Sequence, residues 1–276
     1  MLRSAEIIAL GEAGSMSCGA GLVAHRAKGG ELDYFAYVPK SATSATPLMV
    51  SIHGLERRAL QHAVRFSRLA EEFGFVVLAP LFNKLRTPRY QRLERGPSGD
   101  CPMAALELTT GMFQRKIGID AAPLRLFGYS GGAQFAMRYA MLGAIPVSRL
   151  ALAAPGWFTM PDPAQPFPLG LAPSADSDDR TPDITKLLAT PVLLTVGADD
   201  TRRDGSLNRS PLVDAQQGLT RVERAQRWKA AMSAVAKKRD VAERVELRML
   251  TGAGHDFDDN MQSHGLGEIV ADWLMN

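Results

Sequence analysis

Cysteine is almost missing from this chain: Cys18 and Cys101 are the only two in 276 residues. Two cysteines cannot build a disulfide framework for a protein of this size, so a hydrophobic core has to hold it. Cys101 sits in Gly99-Asp100-Cys101-Pro102 and reads as a packed or loop thiol, although a bridge to Cys18 stays open. Apolar runs of membrane-spanning length are also missing, which excludes a transmembrane helix. Charge of one sign is not in excess: Lys plus Arg is 32 and Asp plus Glu is 29. A net charge of +3 gives no basis for a nucleic-acid partner. No metal-ligand spacing occurs, and no G-x-G-x-x-G follows the first strand, so neither a metal nor another cofactor is expected. The apolar piece Ile7-Ile8-Ala9-Leu10 is shorter than the stretch of roughly 7–15 residues that a secretory leader needs. A cytoplasmic location is therefore expected.

What the chain does have is core-forming material, with 46% hydrophobic residues. Domains reach about 250–300 residues before splitting, so residues 1–276 are expected to form one domain. Leu32 to Pro39 reads as an early antiparallel strand. Pro47 to Ile52, Phe75 to Leu81, Leu124 to Phe127, Leu150 to Ala154, Pro191 to Val196 and Val245 to Leu250 read as short strands. Helix-spaced apolar residues lie between them, for example Leu60, Val64, Phe66, Leu69, Ala70 and Phe73. Strand–helix alternation of this kind predicts an α/β fold: a doubly wound, mostly parallel sheet with helices on both faces. Three stretches interrupt it, at 84–100, 156–190 and 201–218. Each follows a strand's carboxyl end, so each is expected over the site, with 156–190 as a lid-like insertion.

One motif stands out. Leu124 to Phe127 leads into Gly128-Tyr129-Ser130-Gly131-Gly132, and an amphipathic stretch follows at once. Strand, G-x-S-x-G, helix is the order of a nucleophile elbow, with a serine hydroxyl exposed at a strained turn. Other strand ends carry further polar groups: His53-Gly54, then Gly197-Ala198-Asp199-Asp200, then Thr251-Gly252-Ala253-Gly254-His255. In an open parallel sheet, such ends line one crevice. A serine hydroxyl needs a base within reach, and the base needs an acid to fix its tautomer. His255 is the candidate base. His25, His62 and His264 lack its context and read as structural.

The chain order Ser, Asp, His resembles that of the α/β-hydrolase superfamily, and the resemblance runs from about Asp33 to the C-terminus. It implies a Ser130–Asp200–His255 triad, with the acid three residues after Gly197 and Asp199 as the subordinate candidate. It also implies an oxyanion hole from the backbone N–H groups of Gly131 and Leu55, with His53 bracing that loop. The layout Tyr-Val-Pro, His-Gly, Gly-Phe-Val-Val-Leu-Ala-Pro is similar to polyhydroxybutyrate-depolymerase-like and feruloyl-esterase-like esterases. The expected activity is serine hydrolysis of small-molecule carboxylic esters. A peptidase or acyltransferase with the same triad, or a non-catalytic binder of the same fold, are the alternatives. Tyr129, Trp157 and Tyr90 are the substrate-binding candidates. For Tyr90, Trp157 and Phe158, core packing beneath the loops is an equal alternative. Arg86, Arg89, Arg92 and Arg95 would either grip an anionic substrate group or form salt bridges to Glu94 and Asp100. Composition carries no information on oligomeric state.

Overall fold

Apolar runs that are buried along their whole length become the middle of a sheet. Leu48–Ile52 and Val192–Gly197 are buried at every residue, which requires helices on both faces. The computed structural model describes residues 8–9, 21–120, 123–174 and 181–276. Cys18, and with it any bridge to Cys101, lies outside the described residues. The strands in chain order are β1 (Ile8–Ala9), β2 (Gly21–His25), β3 (Asp33–Val38), β4 (Leu48–Ile52), β5 (Val76–Leu81), β6 (Leu124–Tyr129), β7 (Val147–Ala153), β8 (Val192–Gly197) and β9 (Val245–Leu250). The helices are α1 (Ala59–Phe73), α2 (Pro102–Ile117), α3 (Gly131–Leu142), α4 (Ile184–Ala189), α5 (Pro211–Gln217), α6 (Arg221–Lys238), α7 (Phe257–Ser263) and α8 (Leu266–Met275).

The sheet runs in the order β1-β2-β3-β5-β4-β6-β7-β8-β9. From β5 to β9 all neighbours are parallel, and β3 is antiparallel to both β2 and β5. This is the mostly parallel, doubly wound arrangement expected from the sequence. Side chains alternate between two cores, as the period of two demands. Val50, Ile52 and Leu126 face one core with Met103, Phe135 and Trp228, while Met49 and Phe127 face the other with Phe66, Leu69 and Val270. Local signals set the helix ends. Pro102 opens α2, Gly74 and Gly118 close α1 and α2 in the left-handed conformation, and Thr220 caps α6 by accepting from the Glu223 N–H. Among the described residues, no helix is long and apolar enough to cross a membrane.

The segment after β7 differs from the expected lid. Trp157, Phe158, Met160 and Phe167 are buried. The Phe158 ring stacks on Trp228 of α6 at 4.9 Å. Its backbone exchanges two hydrogen bonds with the Gln217 side chain, of 2.7 and 2.9 Å. The Trp228 indole donates to the Thr159 carbonyl at 3.1 Å. Aromatics grouped after a strand end can wall a pocket, but here they reach α5 and α6 and complete a core. Phe158→Ala is expected to destabilise the fold by about 3–5 kcal/mol, read by urea unfolding, with little change in KM. A stable Phe158→Ala variant with altered substrate preference would restore the lid.

Candidate active site

Ser130 stands between β6 and α3 at φ 53° and ψ −111°, outside the regions that non-glycine residues favour. Two glycines make that turn possible. A Cβ on Gly132 would lie 2.1 Å from the Ile52 carbonyl oxygen, and one on Gly128 would lie 2.3 Å from that of Gly132. The Ser130 N–H donates to the Ala153 carbonyl at 2.7 Å, which fixes the turn to the end of β7. Strain held by such contacts projects the side chain away from the sheet.

Register brings the other groups to it. β8 and β9 pair Gly197 with Leu250, so the residues just beyond both ends are neighbours. Gly197 has no side chain where one would meet the Ala253 carbonyl at 2.2 Å. The turn carrying His255 can therefore pass over the end of β8. His255 Nε2 lies 3.1 Å from Ser130 Oγ, and His255 Nδ1 lies 2.8 Å from Asp200 Oδ2. Asp200 is buried, whereas Asp199 is exposed. Asn260 of α7 donates to Tyr129 Oη at 3.0 Å and to the Gly254 carbonyl at 3.1 Å, holding the histidine turn. The Tyr129 ring stacks beside His255 at 5.5 Å.

His53 is committed at both ring nitrogens. Its Nε2 accepts from the Phe82 N–H at 3.0 Å, so the proton sits on Nδ1, which donates to the Gly54 carbonyl at 2.8 Å. In a planar trans peptide, the carbonyl and the following N–H point in opposite directions. Holding the Gly54 oxygen therefore holds the Leu55 N–H. A Cβ placed on Gly131 would meet the Leu55 side chain at 3.0 Å, so Leu55 packs against the residue after Ser130. His53 serves as a brace and has no free nitrogen for proton transfer.

The cleft above Ser130 has a volume of about 290 Å³. Its walls include Leu55, Gln61, His62, Tyr129, Asp204, Ser206, Asp256, Phe257 and Asp258. Two of the three expected substrate contacts lie elsewhere. Tyr90 is fully buried behind the oxyanion loop, where its hydroxyl donates to the His53 carbonyl at 2.6 Å. Trp157 is buried under the Arg138 guanidinium, 4.2 Å from the ring. Both are large rings with a partner for burial, and burial governs their place. None of the described residues of 156–190, and none of 84–100, lines the cleft. The arginines of 84–100 have local partners. Arg86 pairs with Asp100 at 2.7 Å, Arg89 and Arg92 pair with Glu94 at 3.1 Å, and Arg95 donates to the Gly99 carbonyl at 3.0 Å. Among the described residues of the three interrupting stretches, those that reach the cleft belong to 201–218, through Asp204 and Ser206.

The sequence reading missed Arg221. It is fully buried and donates from Nη1 to Asp200 Oδ1 at 3.0 Å, on the oxygen that His255 leaves open. Its other arm donates to Ser206 Oγ at 2.7 Å, and Ser206 Oγ donates to Asp204 Oδ1 at 2.5 Å. The only available signal was Thr220-Arg221-Val222-Glu223, a helix-start pattern that places an arginine in a first turn.

Among solved structures, the chain is similar to poly(aspartic acid) hydrolase-1 from Sphingomonas sp. KT-1. Identity is 24% and the TM-score 0.75, over 91% of this chain and 98% of that one. It is similar to a poly(3-hydroxybutyrate) depolymerase from Bordetella parapertussis, at 22% identity and a TM-score of 0.71, over 91% and 94%. It is also similar to an S-formylglutathione hydrolase from Agrobacterium tumefaciens, at 19% identity and a TM-score of 0.60, over 94% and 98%. No family model matches the chain, and no curated protein matches it in sequence. The fold is that of the α/β-hydrolases, as the motifs implied.

Burial holds two histidines beside the cleft neutral. Desolvation lowers His53 from the ordinary 6.5 to about 4, and Arg57 nearby adds to the effect. Desolvation, aided by the neighbouring His53, lowers His62 in the same direction; Ser51 Oγ lies 2.7 Å from His62 Nδ1. Above pH 6.5 both rings are neutral, folded or unfolded, and contribute no pH dependence. As the pH falls below 6.5, the unfolded chain takes up protons that the folded rings refuse, so stability drops. The loss from His53 saturates near pH 4 at about 3 kcal/mol. Urea unfolding from pH 7 to pH 4 is expected to show this decline, and His62→Gln is expected to make it shallower. A flat profile would mean that neither ring is shielded.

Proposed function

We propose that the protein is a serine hydrolase that cleaves carboxylic esters of small molecules through an acyl-enzyme on Ser130. The observation that carries this reading is the unbroken line from Ser130 Oγ through His255 to Asp200 at the floor of an open cleft. Serine is a poor nucleophile until a base takes its proton. Neutral His255 receives that proton on Nε2 as Oγ attacks the ester carbonyl. The developing negative oxygen is met by the N–H groups of Gly131 and Leu55, fixed before the reaction begins. Asp200 holds the Nδ1 proton and stabilises the imidazolium. His255 then passes its proton to the leaving alcohol oxygen. A water molecule repeats the sequence on the acyl-enzyme, releases the acid and frees Ser130. The hydrolase and depolymerase names among the solved neighbours are consistent with this chemistry.

Acidic side chains set the charge of the cleft. Glu56 pairs with Arg58 at 3.0 Å and Asp258 pairs with Arg65 at 2.6 Å. Asp204 and Asp256 have no basic side chain in a salt bridge among the described residues; they bond to Ser206 and to the Asp259 N–H. An anionic acyl group would meet both of them.

A fluorophosphonate probe is expected to label Ser130. Ser130→Ala is expected to lose the label and about 10⁴–10⁶-fold in turnover. Labelling at another serine would overturn the assignment. In a matched series of p-nitrophenyl esters, anionic members are expected to react several-fold more slowly than neutral ones. The gap should narrow in high salt, as about 8–10 Å screening lengths at moderate ionic strength shorten. Equal rates at low salt would show that Asp204 and Asp256 do not face the acyl group.

A further inference from the structure

Among the described residues three arginines are fully buried, and two of them are loop clamps. Arg138 donates to Thr159 and to the Gln91 carbonyl. Arg224 donates to the carbonyls of Gly156, Asn208 and Gly218 and pairs with Asp214. Arg221, one helical turn before Arg224, differs: its carboxylate partner is Asp200, which also meets His255. Both side chains of that pair have no exposed surface. Arg221 Nε finds no partner among the described residues. As a device for stability this is poor, because a buried ion pair commonly does no better than apolar residues of similar volume, and an unpaired N–H adds a desolvation cost.

As a device for orienting the acid it is well made. A carboxylate without water stays charged only if its oxygens are met. Among the described residues, His255 meets one oxygen of Asp200 and Arg221 meets the other. Thr220 caps the first turn of α6, and Glu223 receives the Leu219 N–H at 2.8 Å, so the backbone carrying Arg221 is fixed at both sides. The second arm of the guanidinium is fixed by Ser206.

We propose that Arg221 is a positioning residue for the triad: it holds the Asp200 carboxylate turned so that Oδ2 accepts the hydrogen bond from His255 Nδ1–H. The proposal rests on the serine-hydrolase reading. Without Arg221, Asp200 is left buried with a free oxygen. Its carboxylate is then free to rotate, and that rotation releases His255.

The test is a double-mutant cycle on the full chain, with a neutral p-nitrophenyl ester and the fluorophosphonate probe. Arg221→Met is expected to lower kcat by about 10²–10³-fold, below the roughly 10⁴-fold ceiling set by disabling the acid itself. KM should stay within a few-fold. The labelling rate of Ser130 should fall in parallel, and the low-field proton resonance of His255 Nδ1–H should be lost. Arg221→Lys, which keeps the charge but cannot bridge Asp200 and Ser206, is expected to recover part of kcat. In an Asp200→Asn background, Arg221→Met should change kcat by less than about threefold, because its effect passes through the acid. Wild-type kcat in Arg221→Met, or the same loss with and without Asp200→Asn, would overturn the proposal and leave Arg221 as packing. If Arg221→Met does not fold, the same cycle with Arg221→Lys decides in the same way. A wild-type protein that takes no label at Ser130 is a separate result, and it would remove the hydrolase reading itself.

Discussion

The closeness of three backbones decides the rest of this site. Gly132 at the start of α3 lies directly under the last carbonyls of β4, with room for a hydrogen and nothing larger. That contact fixes the angle at which α3 leaves the sheet, and so it fixes Ser130. β4 and β6 are in parallel register, Ile52 opposite Gly128. The chain leaving β4 therefore passes next to the serine, and the His53-Gly54-Leu55 turn has one place to go. A side chain at Gly128 or Gly132 would push the helix outward and carry the hydroxyl away from His255.

Residues whose position follows from local pattern were readable in advance. The strands from β3 onward could be read because their apolar runs are short and mostly end in glycine or a polar group, whereas β1 and β2 were not read. Ser130, Asp200 and His255 could be read because each follows such an end, and parallel strand ends converge. Asp200 rather than Asp199 at His255 follows from Gly197, whose missing side chain sets the turn. The packing of the described residues after β7 was not readable, because Phe158 finds its partners on α5 and α6, far along the chain. Tyr90 and Trp157 misled because an aromatic after a strand end looks alike whether it walls a cleft or packs behind it. Arg221 and Arg224 were hidden by company. In Thr-Arg-Val-Glu-Arg, two cations in a first helical turn look solvated, and only the loop 201–218 folding over them takes them out of water.

The polar interior is organised by assigning each group one role. His53 has one nitrogen accepting and the other donating, so its tautomer is set by the Phe82 N–H and the Gly54 carbonyl. Tyr90 backs that arrangement through the His53 carbonyl. Asn260 reaches both Tyr129 and Gly254, so the residue preceding the serine and the turn carrying the histidine share one anchor. In a water-poor region such networks are stiff, since any rearrangement leaves a donor or acceptor unmet.

Asp258 joins two sides of the cleft. It stands on α7, and it receives Gln61 and Arg65 of α1, each at 2.6 Å. The helix after the His53-Gly54-Leu55 turn and the helix after the His255 turn are thereby joined at the rim. A displacement of either helix at that point has to carry the other with it or give up both contacts.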